Sequence, residues 1–156
     1  MAEIPVRSFA VSLVAMRVVE GDHQVLLMRR VGSLEGAWCQ VAGGIEVGET
    51  AWQAALRELA EETGLTPEAF YSADFCEQFY EVDRDAITMN PVFVAYVAAG
   101  AEVRLNNEHD AHRWLSIDDA IALVDFGGQR KMLRWIEDEF IRSVPSEHLR
   151  IPLSDR

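Results

Sequence analysis

Three carboxylates stand close together in the first half of the chain, at Glu58, Glu61 and Glu62. If this segment is helical, spacings of three and four residues place all three side chains on one side of the helix. Like charges at these spacings destabilise a helix by roughly 0.2–0.5 kcal/mol per pair, so a helix that carries them usually gains something in return. A divalent cation is the simplest candidate; a solvated acidic face is the alternative.

The residues around these carboxylates predict the helix that must position them. Thr50 and Gln53 form a capping-box pattern, in which a hydroxyl and an amide each satisfy an unpaired backbone donor at the helix start. Gly64 is suited to end the helix in a left-handed conformation, and Pro67 disfavours its restart. An apolar stripe faces the protein interior and is formed by Ala51, Trp52, Ala55, Leu56 and Leu59.

The spacing of the whole segment resembles the Nudix box. The pattern is Gly, five residues, Glu, seven residues, then Arg-Glu-aliphatic-any-Glu-Glu-any-Gly-aliphatic, and this chain matches it throughout residues 43–65. Every fixed position is filled, by Gly43, Glu49, Arg57, Glu58, Leu59, Glu61, Glu62, Gly64 and Leu65. The resemblance extends from about residue 9 to about residue 140 and implies an α/β fold, a Nudix-type α/β/α sandwich with a mixed β-sheet.

Hydrophobic patterning divides the rest of the chain into strands and helices. Strands are expected at 9–19, 24–30, 38–41, 76–82, 90–97 and 112–115, and further helices at 118–124 and 130–142. We find no internal repeat or linker, so residues 1–156 are interpreted as a single Nudix hydrolase domain with a peripheral tail at 144–156.

Composition restricts the class of partner. A formal net charge of −12 argues against a nucleic-acid-binding surface, which would need a basic footprint, and favours a small phosphorylated substrate. No apolar segment approaches the roughly 20 residues of a membrane span, and no leader pattern is visible, so we expect a cytoplasmic protein. Cys39 and Cys76 are expected to be buried free thiols rather than a disulfide. A homodimer is compatible with the sequence.

The Nudix resemblance implies a pyrophosphohydrolase that uses Mg²⁺, with Mn²⁺ as a substitute. Glu58 and Glu62 are then the principal metal ligands, completed by Glu61, by Glu108 and by a backbone carbonyl at Gly43 or Gly44. Water attacks phosphorus in line, and its proton passes to a box glutamate, Glu58 or Glu61, or to Glu108; the sequence does not choose among these bases. Glu49 and Arg57 are expected to join the loop to the helix through a charge-assisted contact.

Five further residues are hypotheses for substrate binding, each with a structural alternative. Arg29 is the first choice for a phosphate contact and Arg30 the second, against an edge salt bridge. Trp38 and Phe126 could stack on a base or pterin ring, although core packing is the commoner role. Gln129 could hydrogen-bond a ring edge, or cap the last helix.

The substrate is less clearly indicated than the reaction. Segments 40–44, 107–109 and 114–115 look most like the nucleoside-triphosphate branch of the family, whose members are described as dATP or dihydroneopterin triphosphate pyrophosphohydrolases. Tyr80 lies near the position where diadenosine polyphosphate hydrolases carry a tyrosine, which makes that class the alternative. A nucleotide-binding sensor without activity is an alternative of another class, but the complete box favours catalysis.

Overall fold

A mixed β-sheet forms the centre of the fold in this computed structural model, which describes residues 1–153. Strand β7 runs parallel to β1 and β2, and the remaining pairings are antiparallel, with β5 beside β2, β6 beside β7, and β4 and β8 beside β3. The strands are β1 (Val6–Arg7), β2 (Ala10–Val19), β3 (Asp22–Arg30), β4 (Trp38–Cys39), β5 (Val41–Gly44), β6 (Ala69–Glu81), β7 (Ala86–Tyr96) and β8 (His109–Leu115).

Helices cover both faces of the sheet, as the α/β/α sandwich predicts. Helix α1 (Ala51–Thr63) packs on one face, and α2 (Ile117–Leu123) and α3 (Gly127–Ile136) pack on the other. The central strand β2 serves both cores, because successive side chains of a strand point to opposite faces. Val11 and Leu13 pack towards α1, whereas Val14 and Met16 pack towards α2 and α3.

Helix α1 has the caps that the sequence predicts. The Thr50 hydroxyl accepts a hydrogen bond from the backbone N–H of Gln53 at 3.2 Å, and the Gln53 side chain accepts one from the Thr50 N–H at 2.8 Å. Gly64 ends the helix with φ of 71°, in the left-handed region that favours glycine.

Several predicted boundaries were wrong. Strand β6 begins at Ala69 rather than at residue 76, because Asp74 adopts a positive φ of 55° and shifts the register, which breaks the alternation that the prediction relied on. Strand β8 begins at His109 rather than at 112, helix α3 gives way to a π-helical turn at Glu137–Ile141, and the segment 38–41 is divided between β4 and β5. The short strand β1 was not predicted.

The tail is attached to the sheet where it is described. A 3₁₀ turn at Glu147–Leu149 is followed by a hydrogen bond from the Ile151 N–H to the Phe70 carbonyl at 2.8 Å. The last part of the predicted tail, 154–156, lies outside the described residues. Cys39 is buried as expected, but Cys76 is exposed, because its side of β6 is not covered by a helix. Within residues 1–153 no helix has the length and apolar character needed to cross a membrane.

Candidate metal and catalytic site

Three carboxylates converge at one end of α1. Glu58 and Glu62 lie one turn apart on the helix, and Glu108 comes from the loop that precedes β8. One oxygen from each residue lies within 4.8 Å of the other two. Glu58 and Glu62 are buried and Glu108 is exposed, so the cluster has one side open to solvent. We call Glu58, Glu62 and Glu108 the acidic cluster.

Gly43 on β5 brings the backbone against this cluster. A Cβ atom at residue 43 would overlap the Glu58 carboxylate, so glycine at this position allows that carboxylate to stay where it is. The neighbouring Gly44 has no such restriction, because a Cβ there would meet only the Phe9 carbonyl oxygen, at 3.9 Å.

Arg57 ties the loop before α1 to the helix. Its Nη2 donates to Glu49 Oε1 at 2.7 Å and to the Gly44 carbonyl at 2.8 Å, while its Nη1 donates to Glu58 Oε1 at 2.9 Å and Glu61 Oε2 at 3.1 Å. The hydrogen bonds to Glu49 are the main reason that the pKa of Arg57 is raised, and they lower the pKa of Glu49. The predicted charge-assisted contact is therefore present. Glu61 is exposed and lies outside the acidic cluster.

Glu62 is the least compensated carboxylate of the cluster. It is only 2% exposed, and its Oε2 atom has no hydrogen-bond partner among residues 1–153. Burial, followed by the neighbouring Glu58 and then Glu108, raises the pKa of Glu62 to about 9. Carboxylates this close are stable together in the ionised form only with a compensating positive charge. The donor set, three carboxylates and a glycine backbone, therefore fits a hard divalent cation such as Mg²⁺.

Two residues behind Glu62 were not predicted. His109 Nδ1 lies 3.7 Å from Glu62 Oε1, and His109 Nε2 lies 3.5 Å from Cys39 Sγ. Burial lowers the pKa of His109 and raises the pKa of Cys39 to about 11. Cys39 and His109 stand 70 positions apart, so their contact had no local signal; the position of His109 directly after Glu108 is the one hint in the sequence.

The two predicted phosphate-binding arginines lie on opposite faces of β3. Arg30 is on the face that carries the acidic cluster, and its guanidinium donates to Ser33 Oγ at 2.9 Å and to the Ser33 carbonyl at 3.0 Å. Arg29 is on the other face, where it forms an exposed ion pair with Asp110 at 2.7 Å. The Arg29 guanidinium carbon also lies 5.9 Å from the centre of the Trp38 ring.

The predicted ring-binding residues lie together near the start of α3. Gln129 donates to the Trp38 carbonyl at 3.4 Å and accepts a hydrogen bond from the Phe126 backbone N–H at 3.3 Å, so it also has the capping role considered from the sequence. Phe126 is 50% exposed, whereas Trp38 is half-buried against the α2 and α3 core.

A second buried polar cluster lies on this α3 face of the sheet. Glu77 accepts a hydrogen bond from the Ser12 hydroxyl, and the Gln40 amide nitrogen lies 3.4 Å from the same Glu77 oxygen. Gln129 in turn donates to Gln40 Oε1 at 3.2 Å. Burial raises the pKa of Glu77, and the hydrogen bond from Ser12 partly opposes that change. We call Ser12, Gln40, Glu77 and Gln129 the Glu77 network.

Comparison with known proteins identifies related sequences along most of the chain. The family model for the NUDIX domain matches residues 9–136. An asymmetrical bis(5'-nucleosyl)-tetraphosphatase of Caenorhabditis elegans is 29% identical over 127 residues, which covers 80% of this chain and 91% of that protein. An octanoyltransferase of Myxococcus xanthus is 34% identical over 132 residues; the match covers 83% of this chain, but the chain spans only 36% of the length of that relative.

A solved structure with the same arrangement is a binary complex of the C. elegans Ap4A hydrolase. Its TM-score is 0.74 at 26% sequence identity, and the superposition covers 86% of this chain and 98% of that one.

Proposed function

The chain belongs to the Nudix family, and on that premise we propose that it is a divalent-cation-dependent hydrolase of nucleoside polyphosphates. The reaction is cleavage of a phosphoanhydride bond by water attack on phosphorus. The observation that carries this proposal is the acidic cluster. Glu62 is buried and one of its carboxylate oxygens has no partner among residues 1–153, while one oxygen each of Glu58, Glu62 and Glu108 lies within 4.8 Å of the other two. Such a group gains most from a bound cation.

We assign the cation ligands to Glu58, Glu62 and Glu108, with the Gly43 carbonyl as a further oxygen and Glu61 as an outer contributor. When bound, Mg²⁺ or Mn²⁺ supplies charge neutralisation at the diphosphate and lowers the pKa of the attacking water. The chain's own task is to keep these oxygens in place. Arg57 does this for Glu58 by donating to its Oε1 at 2.9 Å.

Glu108 is our first choice for the base that takes the proton from the attacking water. It is exposed, and its Oε2 accepts one neutral donor, the Asn106 amide at 3.0 Å. Glu58 and Glu61 both accept a hydrogen bond from the Arg57 guanidinium, which occupies one of their oxygens. Glu108 is the exposed carboxylate of the acidic cluster and has no such contact with Arg57 among the described residues.

Substrate binding is proposed for both predicted sets of residues. Arg30 shares the face of the acidic cluster and is the first candidate for the phosphate chain; Arg29, on the opposite face and paired with Asp110, is the second. Exposed Phe126, with Trp38 and Gln129 beside it, offers an aromatic surface and an amide for a flat ring.

Two substrate classes follow. The relatives named for bis(5'-nucleosyl)-tetraphosphate cleavage match most of this chain, and they favour a dinucleoside polyphosphate as the first class. A nucleoside or pterin triphosphate, which the sequence segments favoured, is the second. Octanoyl transfer is not carried over, because the match covers only 36% of that relative.

A substrate panel with Mg²⁺ tests the proposal. Formation of ATP and AMP from diadenosine tetraphosphate supports the first class, whereas pyrophosphate released from dATP or dihydroneopterin triphosphate supports the second. Binding without turnover of any nucleotide would indicate a sensor and would refute the enzymatic proposal.

The metal ligands are tested with the variant Glu62→Gln, which removes the carboxylate charge but keeps the shape of the side chain. We expect it to lose metal-dependent turnover while its thermal unfolding stays cooperative. Near-normal turnover in this variant would overturn the ligand assignment.

A further inference from the structure

His109 and Cys39 lie directly behind the acidic cluster and are not explained by the reaction proposed above. The His109 side chain is 5% exposed, and its Nδ1 atom has no hydrogen-bond partner among residues 1–153. Glu62 Oε1 lies 3.7 Å from this Nδ1 atom, and the other oxygen of the same carboxylate, Oε2, has no partner among these residues either. Buried polar groups are destabilising until they are paired, so a hydrogen bond between His109 Nδ1 and Glu62 Oε1 would stabilise this part of the core.

The 3.7 Å separation is longer than a hydrogen bond, so the pairing requires one of the two side chains to move closer to the other. The contact stabilises an ionised Glu62 only if Nδ1 carries the proton, because a lone pair there would repel the carboxylate. A neutral imidazole has one N–H and one lone pair, so the other nitrogen must then accept a hydrogen bond.

Cys39 supplies that second contact. Its Sγ atom lies 3.5 Å from His109 Nε2, within the distance expected for a bond that involves sulfur. A buried thiol retains its proton and can donate S–H to Nε2, which leaves the N–H on Nδ1. Cys39 thereby selects the tautomer that Glu62 requires.

We propose that His109 is a positioning residue for Glu62, and that Cys39 fixes the tautomer through which it acts. The Nδ1–H of His109 holds one oxygen of Glu62, which turns the other oxygen towards Glu58 and Glu108. This inference rests on the proposed function, because it concerns the metal ligand that the function requires. Outer contacts of this kind typically alter metal affinity by about 10–100-fold.

Variants at His109 test which nitrogen matters. His109→Asn places an amide donor near the position of Nδ1, His109→Gln places one near Nε2, and His109→Leu has none. We expect the Mn²⁺ dissociation constant, measured by electron paramagnetic resonance, to rise about tenfold in His109→Leu and His109→Gln and to stay within about threefold of the native value in His109→Asn. Exposed His112 on the same strand provides the control, His112→Asn, which should bind Mn²⁺ normally.

Unchanged Mn²⁺ affinity in His109→Leu would overturn the proposal, as would equal weakening in His109→Asn and His109→Leu. The tautomer is tested by ¹⁵N nuclear magnetic resonance of the imidazole in the native protein with Mg²⁺ bound, the state in which Glu62 is ionised, so this readout needs no variant to fold. A proton on Nδ1 is expected; a proton on Nε2 would refute the assignment.

Cys39 variants leave His109 in place. Cys39→Ser keeps a donor and should preserve the Nδ1–H tautomer, whereas Cys39→Ala should shift the tautomer and weaken Mn²⁺ binding severalfold. Identical tautomers in both variants would show that Cys39 does not fix the tautomer.

Failure of this inference is distinguishable from failure of the proposed function. Mn²⁺ binding that survives in Glu62→Gln contradicts the function, while loss in Glu62→Gln with no effect of His109→Leu contradicts the positioning role alone.

Discussion

The two faces of the central sheet each bury a glutamate, and the two are satisfied in different ways. On the α3 face, Glu77 accepts a hydrogen bond from Ser12, with Gln40 beside it. On the α1 face, Glu62 has an unpartnered oxygen and two further carboxylates close by. Side chains of the protein itself satisfy Glu77, whereas Glu62 would need a bound cation to balance its charge.

Burial raises the pKa of both residues, so the pKa alone does not separate a structural glutamate from a functional one. The distinction comes from the partners. Hydrogen-bonded polar groups in a core stabilise one packing arrangement, while unsatisfied ones indicate a ligand. Variants that alter either glutamate or its surroundings test this interpretation.

Glu58→Gln and Glu77→Gln are the strongest contrast. We expect Glu58→Gln to reduce kcat/KM by about 10³-fold, because it removes charge from a ligand of the cation. Glu77→Gln should change kcat/KM by less than about threefold, since an amide can replace the protonated carboxyl in its network. Steady-state kinetics on the best substrate of the panel measures both, and equal losses would abolish the distinction between the two faces.

Gly43→Ala tests the geometry without altering charge. Its Cβ would overlap the Glu58 carboxylate and displace it, so we expect kcat to fall about 10²-fold, as for misplacement by about 1 Å. Gly44→Ala is the matched control, because its Cβ finds open space beyond the Phe9 carbonyl. Similar kinetics for the two alanine variants would show that the close approach of β5 is unimportant.

Cation binding should stabilise the protein through Glu62 and not through Glu77. At a Mn²⁺ concentration 100 times the dissociation constant of the native protein, Mn²⁺ should raise the free energy of unfolding by about 2.7 kcal/mol in the native protein and in Glu77→Gln, but far less in Glu62→Gln. Denaturant unfolding with and without chelator measures this difference.

The same experiment has a pH dependence. The pKa of Glu62 is raised to about 9 without metal, so ionisation of this group destabilises the metal-free fold as pH rises from the unfolded value near 4.5 towards 9. A cation must displace the proton, so the stabilisation by Mn²⁺ should increase over the same interval. A Mn²⁺ effect independent of pH would contradict the role of Glu62.

The smallest effect is expected for the stability of Glu77→Gln. Because burial raises the pKa of Glu77, the folded protein favours its protonated form, and the native chain loses stability as pH rises through the unfolded value. Glu77→Gln has no carboxyl at this position and does not lose stability in this way. Its melting temperature should therefore exceed that of the native protein near pH 8 but not near pH 4. A higher melting temperature of the variant at pH 4 would contradict this explanation.

Local signals made one part of the molecule predictable. The caps of α1 and the Glu49–Arg57 contact depend on residues within one short segment, and the box spacing contains them. The α/β/α architecture followed from the resemblance. The roles of the individual site residues remain predictions for the experiments above.

Long-range contacts were not predictable from patterning. Cys39 and His109 meet only because β3 pairs with both β4 and β8, and Ser12 meets Glu77 only because β7 separates their strands. The early start of β6 was hidden by the positive φ of Asp74, which no single-sequence periodicity reveals. Exposure of Cys76 depends on which part of β6 a helix covers.

The hydrogen bonds of Arg57 have a consequence for insertions and deletions. A single guanidinium reaches both the Gly44 carbonyl and Glu49, so the number of residues between β5 and α1 is fixed by the reach of one side chain. One residue more or fewer would move the strand relative to the helix beside the proposed metal site. The turn at 82–85 is held mainly by its own hairpin, with Tyr80 donating to Asp85 at 2.7 Å and Arg84 lying 3.5 Å from Glu81, so those two contacts do not set the distance between a strand and a helix.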